Sequence, residues 1–170
     1  MALSGSIQFR QASTADVSAM GDCRLGDPTA DPADPRMHAY FVGQHHPQQA
    51  LPDRVGYVAL DKGALIGYIA GHLTTRHGCA AEVQYLFVPR AHRRQGIGTK
   101  LLRFLAEWFA ERHALKVCVA VAADSPPEAR PFFESVGAVP LKKNWYGWDN
   151  ISDVLAGPDE AHLGVDVTQR

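Results

Sequence analysis

The chain has few cysteines, no long apolar run and no excess of charge of either sign. Its 170 residues hold 3 cysteines, Cys23, Cys79 and Cys118, far apart and without a C-x-x-C pair. Neither a disulfide framework nor a zinc site is indicated. No apolar stretch is long enough for a signal peptide or a membrane span, so a soluble protein of the reducing cytoplasm is expected. With 17 basic and 18 acidic residues the formal net charge is −1, and no global field favours nucleic acid or an anionic membrane as partner. A Gly-x-Ser-x-Gly elbow is absent, which removes support for hydrolase chemistry. Among His38, His45, His46, His72, His77, His92 and His113 only His45 and His46 are close, and adjacent residues rarely ligate one ion, so no metal is expected.

What is present centres on residues 82–102. Val83 to Val88 are mostly β-branched, aromatic or aliphatic, and Pro89 forbids further ladder donation, so a strand ends there. From Thr99 the period changes. Leu101, Leu102, Leu105 and Phe109 recur at helical spacing while Lys100, Arg103, Glu107 and Glu111 take the other face, so a helix starts near Gly98. Between strand and helix lies Arg93-Arg94-Gln95-Gly96-Ile97-Gly98. Unpaired N–H groups and the dipole at a helix start attract phosphate, glycine lets its oxygens approach the backbone, and guanidinium groups add full charge. This loop reads as a pyrophosphate cradle. A P-loop is excluded, because Thr99 rather than glycine precedes Lys100. The dinucleotide fingerprint lacks its third glycine, since Leu101 stands there, and residues 89–95 intervene after the strand.

The remaining pattern, Arg/Gln-x-x-Gly-x-Gly/Ala between strand and helix, is met in full by residues 93–98, and it resembles the acetyl-CoA loop of the GNAT N-acetyltransferase superfamily. Downstream, Ala129-Arg-Pro-Phe-Phe-Glu-Ser-Val-Gly137 is similar to that family's second helix, of the form Ala-x-x-Phe-Tyr-Glu-x-x-Gly. The resemblance covers residues 7 to 146, most closely 82–137. It implies acetyl-CoA as co-substrate, held by Leu86, Phe87, Val88, Arg93, Arg94, Gln95, Gly96, Ile97, Gly98, Thr99, Lys100 and Phe133. It also implies that the central strand and its parallel neighbour splay apart, leaving backbone groups near Leu86 to Val88 for the pantetheine amides and the thioester oxygen.

The local reading of the remaining chain fits one α/β domain over 1–148, with a polar tail or arm over 149–170. Ser6–Gln11 alternates as a first strand, and Ser13 to Asp16 caps a helix through Val17, Met20 and Leu25 that ends near Gly26. Residues 27–35 hold three prolines and three aspartates and read as loop, 36–42 as a short helix, and 43–52 as loop again. Residues 55–60, the turn 61–63 and residues 65–70 make a hairpin, and 82–88 a third antiparallel strand. Lys116 to Ala122 is a Val-rich strand, so the helix from Thr99 to His113 is the crossover of the one parallel βαβ unit. Pro126-Pro127 opens a helix ended by Gly137, with Ala129, Phe132, Phe133 and Val136 facing inward. Residues 139–148 form one last strand or a ragged pair. The fold expected is a mixed, mostly antiparallel sheet flanked by helices.

Acetyl transfer to an amine needs a base, because an alkylamine has a pKa of ~10.4. Glu82, on the strand entering the loop among Val83, Tyr85 and Leu86, is the candidate, against the alternative of an exposed strand-start glutamate. Phe133 departs from the family, standing where many members carry the tyrosine that protonates the thiolate. Tyr146 and Tyr85 could substitute, and Tyr146, within Trp145-Tyr-Gly-Trp148, reads first as a rim aromatic of the acceptor pocket. Asp27, Asp31 and Asp34 lie in a loop that the resemblance sets over the acceptor. The expected partner is a small-molecule or peptide amine, with a homodimer left open. Two alternatives stand beside the enzyme: a catalytically silent acyl-CoA-binding module, and a small dinucleotide-dependent oxidoreductase using Gly96, Gly98 and Asp124.

Overall fold

Turn chemistry and alternation set the sheet. The computed structural model describes residues 7–30 and 34–156. Strands β2 (Ala50–Asp61) and β3 (Ala64–Thr74) form the expected hairpin. Its two-residue turn has φ of 53° at Lys62 and 86° at Gly63, the left-handed pair that matches the twist of the flanking strands. β1 (Ile7–Gln11) and β4 (Ala81–Phe87) pair antiparallel on either side of this hairpin. β5 (Val117–Ala120) runs parallel to β4, and β6 (Val139–Lys142) and β7 (Trp145–Trp148) complete a 7-stranded sheet of order β1-β2-β3-β4-β5-β7-β6. The expected mixed, mostly antiparallel sheet with one parallel pair is present.

Several boundaries differ for physical reasons. β2 begins at Ala50, inside the stretch expected as loop. Pro52 is tolerated because the pairing is irregular between Ala50 and Arg54, and β1 covers only the far end of the strand. Residues 139–148 resolve into the pair, β6 and β7, with Asn144 at φ 68° between them.

Helices cover both faces. On one, α1 (Val17–Leu25) and α2 (Met37–Phe41) bury Met20 and Met37 against Val58, Tyr68 and Phe87. On the other, α3 (Ile97–Glu111) and α4 (Ala129–Ser135) close the larger core, which includes Leu101, Leu105, Phe109, Val83, Val119 and Phe133. α3 is the expected crossover between β4 and β5. It lies so close to the sheet that a Cβ on Gly71 would stand 2.7 Å from the Glu82 carbonyl and 2.8 Å from the Phe109 ring.

Residues Ile151–Ala156 fall in the segment expected as an arm, yet they form a 3-10 turn packed on α3. Ile151 and Val154 are buried, Ile151 N–H donates to the Leu115 carbonyl at 2.8 Å, and Arg103 donates to the Leu155 carbonyl at 3.0 Å. Two apolar residues three apart are too few to show as a periodic stripe. Ser6 of the expected first strand, Asp31 of the acidic loop, and residues 157–170 lie outside the described residues.

Candidate active site

The site forms where β4 leaves β5. Their ladder pairs Ala81 with Val117, Glu82 with Cys118 and Val83 with Val119, and stops there. β4 continues against β3 as far as Phe87 opposite Tyr68, so Gln84 to Phe87 have a strand on one side only. That is the splay the sequence resemblance implied. A register shift falls at the same place: Ala70 pairs with Tyr85 but Gly71 pairs with Val83, which leaves Gln84 as the extra residue of a bulge. Gln84 Oε1 is buried without a partner.

The bulge turns Glu82 and Tyr85 to the same side, where both meet groups gathered around Tyr40 of α2. Glu82 is 3% exposed, so it is not the solvated strand-start glutamate. His72, its cross-strand partner on β3, is fully buried and holds Nε2 3.4 Å from Glu82 Oε1. On its other side His72 Nδ1 lies 2.9 Å from the Tyr40 hydroxyl. Arg76 reaches the second carboxylate oxygen, with its Nη1 3.7 Å from Glu82 Oε2, and lies over the Trp145 ring at 4.5 Å. His77, in the left-handed region at φ 56°, packs edge-on against the same ring. Burial pushes the Tyr40 and Tyr85 hydroxyls up from their ordinary values, so both remain protonated donors. Tyr85 donates to Asp34 at 3.0 Å, which occupies the hydroxyl that sequence reasoning offered as a substitute acid.

Tyr146 is not brought to Glu82. The register aligns Val83, Val119 and Tyr146 in one row and Glu82, Cys118 and Gly147 in the next. Since neighbouring strand residues face opposite ways, Tyr146 points to the α3–α4 face and Glu82 to the other. The Tyr146 hydroxyl donates to Glu134 Oε2 at 3.3 Å. Phe133, 6% exposed, packs edge-on against Phe132 and Trp148 on that same face.

The loop after β4 ends at Gly96, the N-cap of α3, with φ 80°. No side chain caps this helix, and its first internal bond is Lys100 N–H to the Gly96 carbonyl. The N–H groups of Ile97, Gly98 and Thr99 therefore have no helical acceptor, the arrangement that suits a phosphate. Arg94, exposed and at φ 65°, stands at this mouth with exposed Gln95. Gly98 faces Phe132, whose ring a Cβ would approach to 3.3 Å.

Two cations expected at the phosphates have protein partners in this structure. Arg93 donates through Nε to the Val88 carbonyl at 2.8 Å, pairs with Glu128 at 2.8 Å, and lies 3.6 Å from Asp27. It is a brace of the loop. Lys100 sets its ammonium 5.1 Å from the centre of the Phe9 ring, at the β1 edge. Side chains of Phe87 and Ile97 are also core: Phe87 packs with Tyr68 under Arg24, and Ile97 is 2% exposed. These two offer backbone only. Leu86 and Val88 are partly buried against the α3 core. Thr99 lines a cleft of about 550 Å³ together with Arg103, Gly137 and Trp148.

Asp27, expected over the acceptor, braces the loop from the opposite side. It accepts from the Thr29 hydroxyl at 2.6 Å and from the Arg90 N–H at 2.7 Å. The Thr29 hydroxyl, then the Arg90 and Thr29 N–H groups and the Arg93 charge, hold its carboxyl down at about 2. Sequence reasoning missed His72, Tyr40, Arg76 and this brace. The Tyr40–His72 and Asp27–Arg90 contacts join residues 32 and 63 apart in the chain, whereas His72 and Arg76 lie close to Glu82 in sequence but meet its carboxylate only through the β3–β4 pairing and the turn between the strands.

The family model described as Acetyltransferase (GNAT) family matches residues 25–138. Among solved structures, a GNAT-family acetyltransferase from Staphylococcus aureus superposes with a TM-score of 0.65 at 14% identity, covering 85% of this chain and 99% of that one. A putative GNAT-family acetyltransferase from Desulfovibrio desulfuricans gives 0.67 at 13% identity, over 85% and 99%. The ribosomal-protein-alanine N-acetyltransferase from Brucella melitensis gives 0.57 at 20% identity, over 80% and 94%. The search of curated proteins returns no match.

Proposed function

This chain belongs to the GNAT acetyltransferase family, and from that premise we propose that it moves an acetyl group from acetyl-CoA to a primary amine of a small molecule or peptide, by direct transfer in a ternary complex. The observation that carries the reading is the succession, along β4 and the loop that follows it, of a buried carboxylate, a strand gap and a helix start without a side-chain cap. Family membership leaves the oxidoreductase alternative without support. No helix among the described residues is long and apolar enough to cross a membrane, and a cytoplasmic location is part of the proposal.

The residues present fit acetyl-CoA. The N–H groups of Ile97, Gly98 and Thr99 with Arg94 and Gln95 would hold its pyrophosphate, and the one-sided stretch of β4 through Val88 would hold the pantetheine amides. Bound acetyl-CoA supplies an activated thioester carbonyl. Glu82 accepts the amine's proton, directly or through water, as the N–C bond forms and the C–S bond breaks. A backbone N–H of the open β4 stretch stabilises the developing oxyanion. The departing thiolate, with a thiol pKa of ~8.5, takes a proton from Tyr146 or from solvent, since Phe133 has none to give. Arg76, His77, Trp145 and Tyr85 wall the acceptor's approach to Glu82.

The test is a mass-spectrometric screen of amines, amino acids and peptides with acetyl-CoA. Acetylated product with an equal amount of free CoA is expected. Acetyl-CoA binding without any CoA release above the protein-free rate would instead establish the silent binding module.

A further inference from the structure

Behind Glu82 stand two polar groups that no step above uses. His72 Nε2 and Glu82 Oε1 are both buried, neither has a hydrogen-bond partner, and they face each other at 3.4 Å across directly paired strand positions. The ring's other nitrogen lies 2.9 Å from the Tyr40 hydroxyl. We propose that His72 is a positioning residue for Glu82, presenting Nε2–H to Oε1, and that the Tyr40 hydroxyl fixes that tautomer by donating to Nδ1. The inference rests on the reading of Glu82 as the base.

The tautomer follows from the neighbours. If Nδ1 carried the single proton, a lone pair on Nε2 would face a carboxylate oxygen in a site that water does not reach, with both groups unsatisfied. With the proton on Nε2, the Tyr40 hydroxyl has an acceptor, Nδ1 has a donor and Glu82 Oε1 gains an N–H. Each polar atom of the row then faces one of complementary character, His72 and Glu82 at 3.4 Å, and second-partner control of a histidine's tautomer is a general device.

The geometry also separates positioning from proton relay. An Nε2 that already bears hydrogen cannot take the proton that Glu82 removes, so the proton leaves on the other side. That side holds Oε2, where Arg76 stands 3.7 Å away with its side chain 22% exposed. His72 grips the inner oxygen from behind, and Oε2 is the oxygen offered to the amine. An arriving ammonium can displace Arg76 from Oε2 while Oε1 stays tethered, so the carboxylate keeps its aim.

Two measurements decide this. Long-range proton–nitrogen correlation spectra of histidine-labelled protein at pH 8 should show His72 as the Nε2–H tautomer, and as a mixture in Tyr40→Phe, which keeps the ring packing. A His72 protonated on Nδ1, or on both nitrogens, overturns the proposal. In parallel, CoA release is followed with a fixed pool of amino acids and free-amine peptides as acceptor. His72→Leu should lower kcat at least about tenfold with acetyl-CoA affinity within twofold, His72→Gln should recover most of the loss by restoring an N–H, and His72→Leu should cost nothing further in a Glu82→Gln background. A full-rate Glu82→Gln would remove the base reading itself. A slow Glu82→Gln beside a full-rate His72→Leu, or additive losses, would remove His72 alone. No turnover of the pool by the parent counts against the acetyltransferase reading and leaves the spectra to decide the tautomer.

Discussion

Glu82 has almost no water around it, and the partly exposed Arg76 side chain stands at its second oxygen, so in the proposed function its chemistry depends on what displaces Arg76. If it removes the acceptor's proton, Glu82→Gln should lower kcat by about 10²- to 10⁴-fold while leaving acetyl-CoA affinity nearly unchanged. The deficit should shrink at high pH, as the amine loses its proton unaided. Steady-state kinetics from pH 7 to 10 checks both parts, and a parental rate at pH 7 would make the residue structural. Tyr146 belongs to the other face, with its hydroxyl on Glu134. Should it protonate the thiolate, Tyr146→Phe slows CoA release about tenfold or more, and Phe133→Tyr, adding a hydroxyl on that same face, masks the loss. If Tyr146→Phe is silent in both backgrounds, the thiolate is protonated through solvent.

At the scale of elements, the loop before α3 is held by side chains from two distant segments. Asp27 holds the Arg90 N–H, and Arg93 ties the Val88 carbonyl to Glu128. Asp27→Asn should loosen this end of α3 and weaken acetyl-CoA binding about tenfold or more, which titration calorimetry reads directly. Its pH signature follows from linkage. The folded carboxyl is held at about 2, below its unfolded value of ~3.9, so the folded state binds fewer protons and the contribution is fully present above that value. It is lost as pH falls from 4 to 2, so the stability gap between parent and Asp27→Asn should close over that window. Gly71 is a second element-scale constraint. Gly71→Ala should cost about 1–3 kcal/mol in denaturant unfolding, because the Glu82 carbonyl and the Phe109 ring leave no room for a methyl.

These same elements show what could be read from sequence. The Lys62-Gly63 turn, the glycine-bearing loop before α3 and the amphipathic stripe of α3 are each set by residues within a few positions of one another, and each was legible, whereas the left-handed conformation of Gly96 was not read. The splay of β4 from β5 came through resemblance rather than through any local pattern. Arg93 reads as a phosphate ligand from its sequence neighbours, glycines and another arginine. Its actual partners, Asp27 and Glu128, are far away in the chain. His72 was one of several histidines until β3 paired it with Glu82. Ile151–Ala156 carried too little periodicity to announce that it would close the core under α3.

For the whole molecule, one sheet separates two groups of side chains. Its α1–α2 face gathers Tyr40, His72, Glu82, Tyr85 and Arg76, which the proposed function sets around the approach of an amine, and its α3–α4 face carries Phe133 and Tyr146. Between the two faces β4 and β5 part after Val83, and the loop that follows β4 leads to the Gly96 start of α3. A thioester carried through that gap would reach Glu82, and this arrangement is what a pyrophosphate seated on Ile97, Gly98 and Thr99 would serve. The most direct measurement is titration calorimetry of the purified chain with acetyl-CoA and, separately, with NAD, repeated on Gly98→Val. The account predicts that acetyl-CoA binds more tightly than NAD and that the substitution severely weakens acetyl-CoA binding in a variant that still unfolds cooperatively. Tighter binding of NAD, or undiminished acetyl-CoA binding by a folded Gly98→Val, would contradict it.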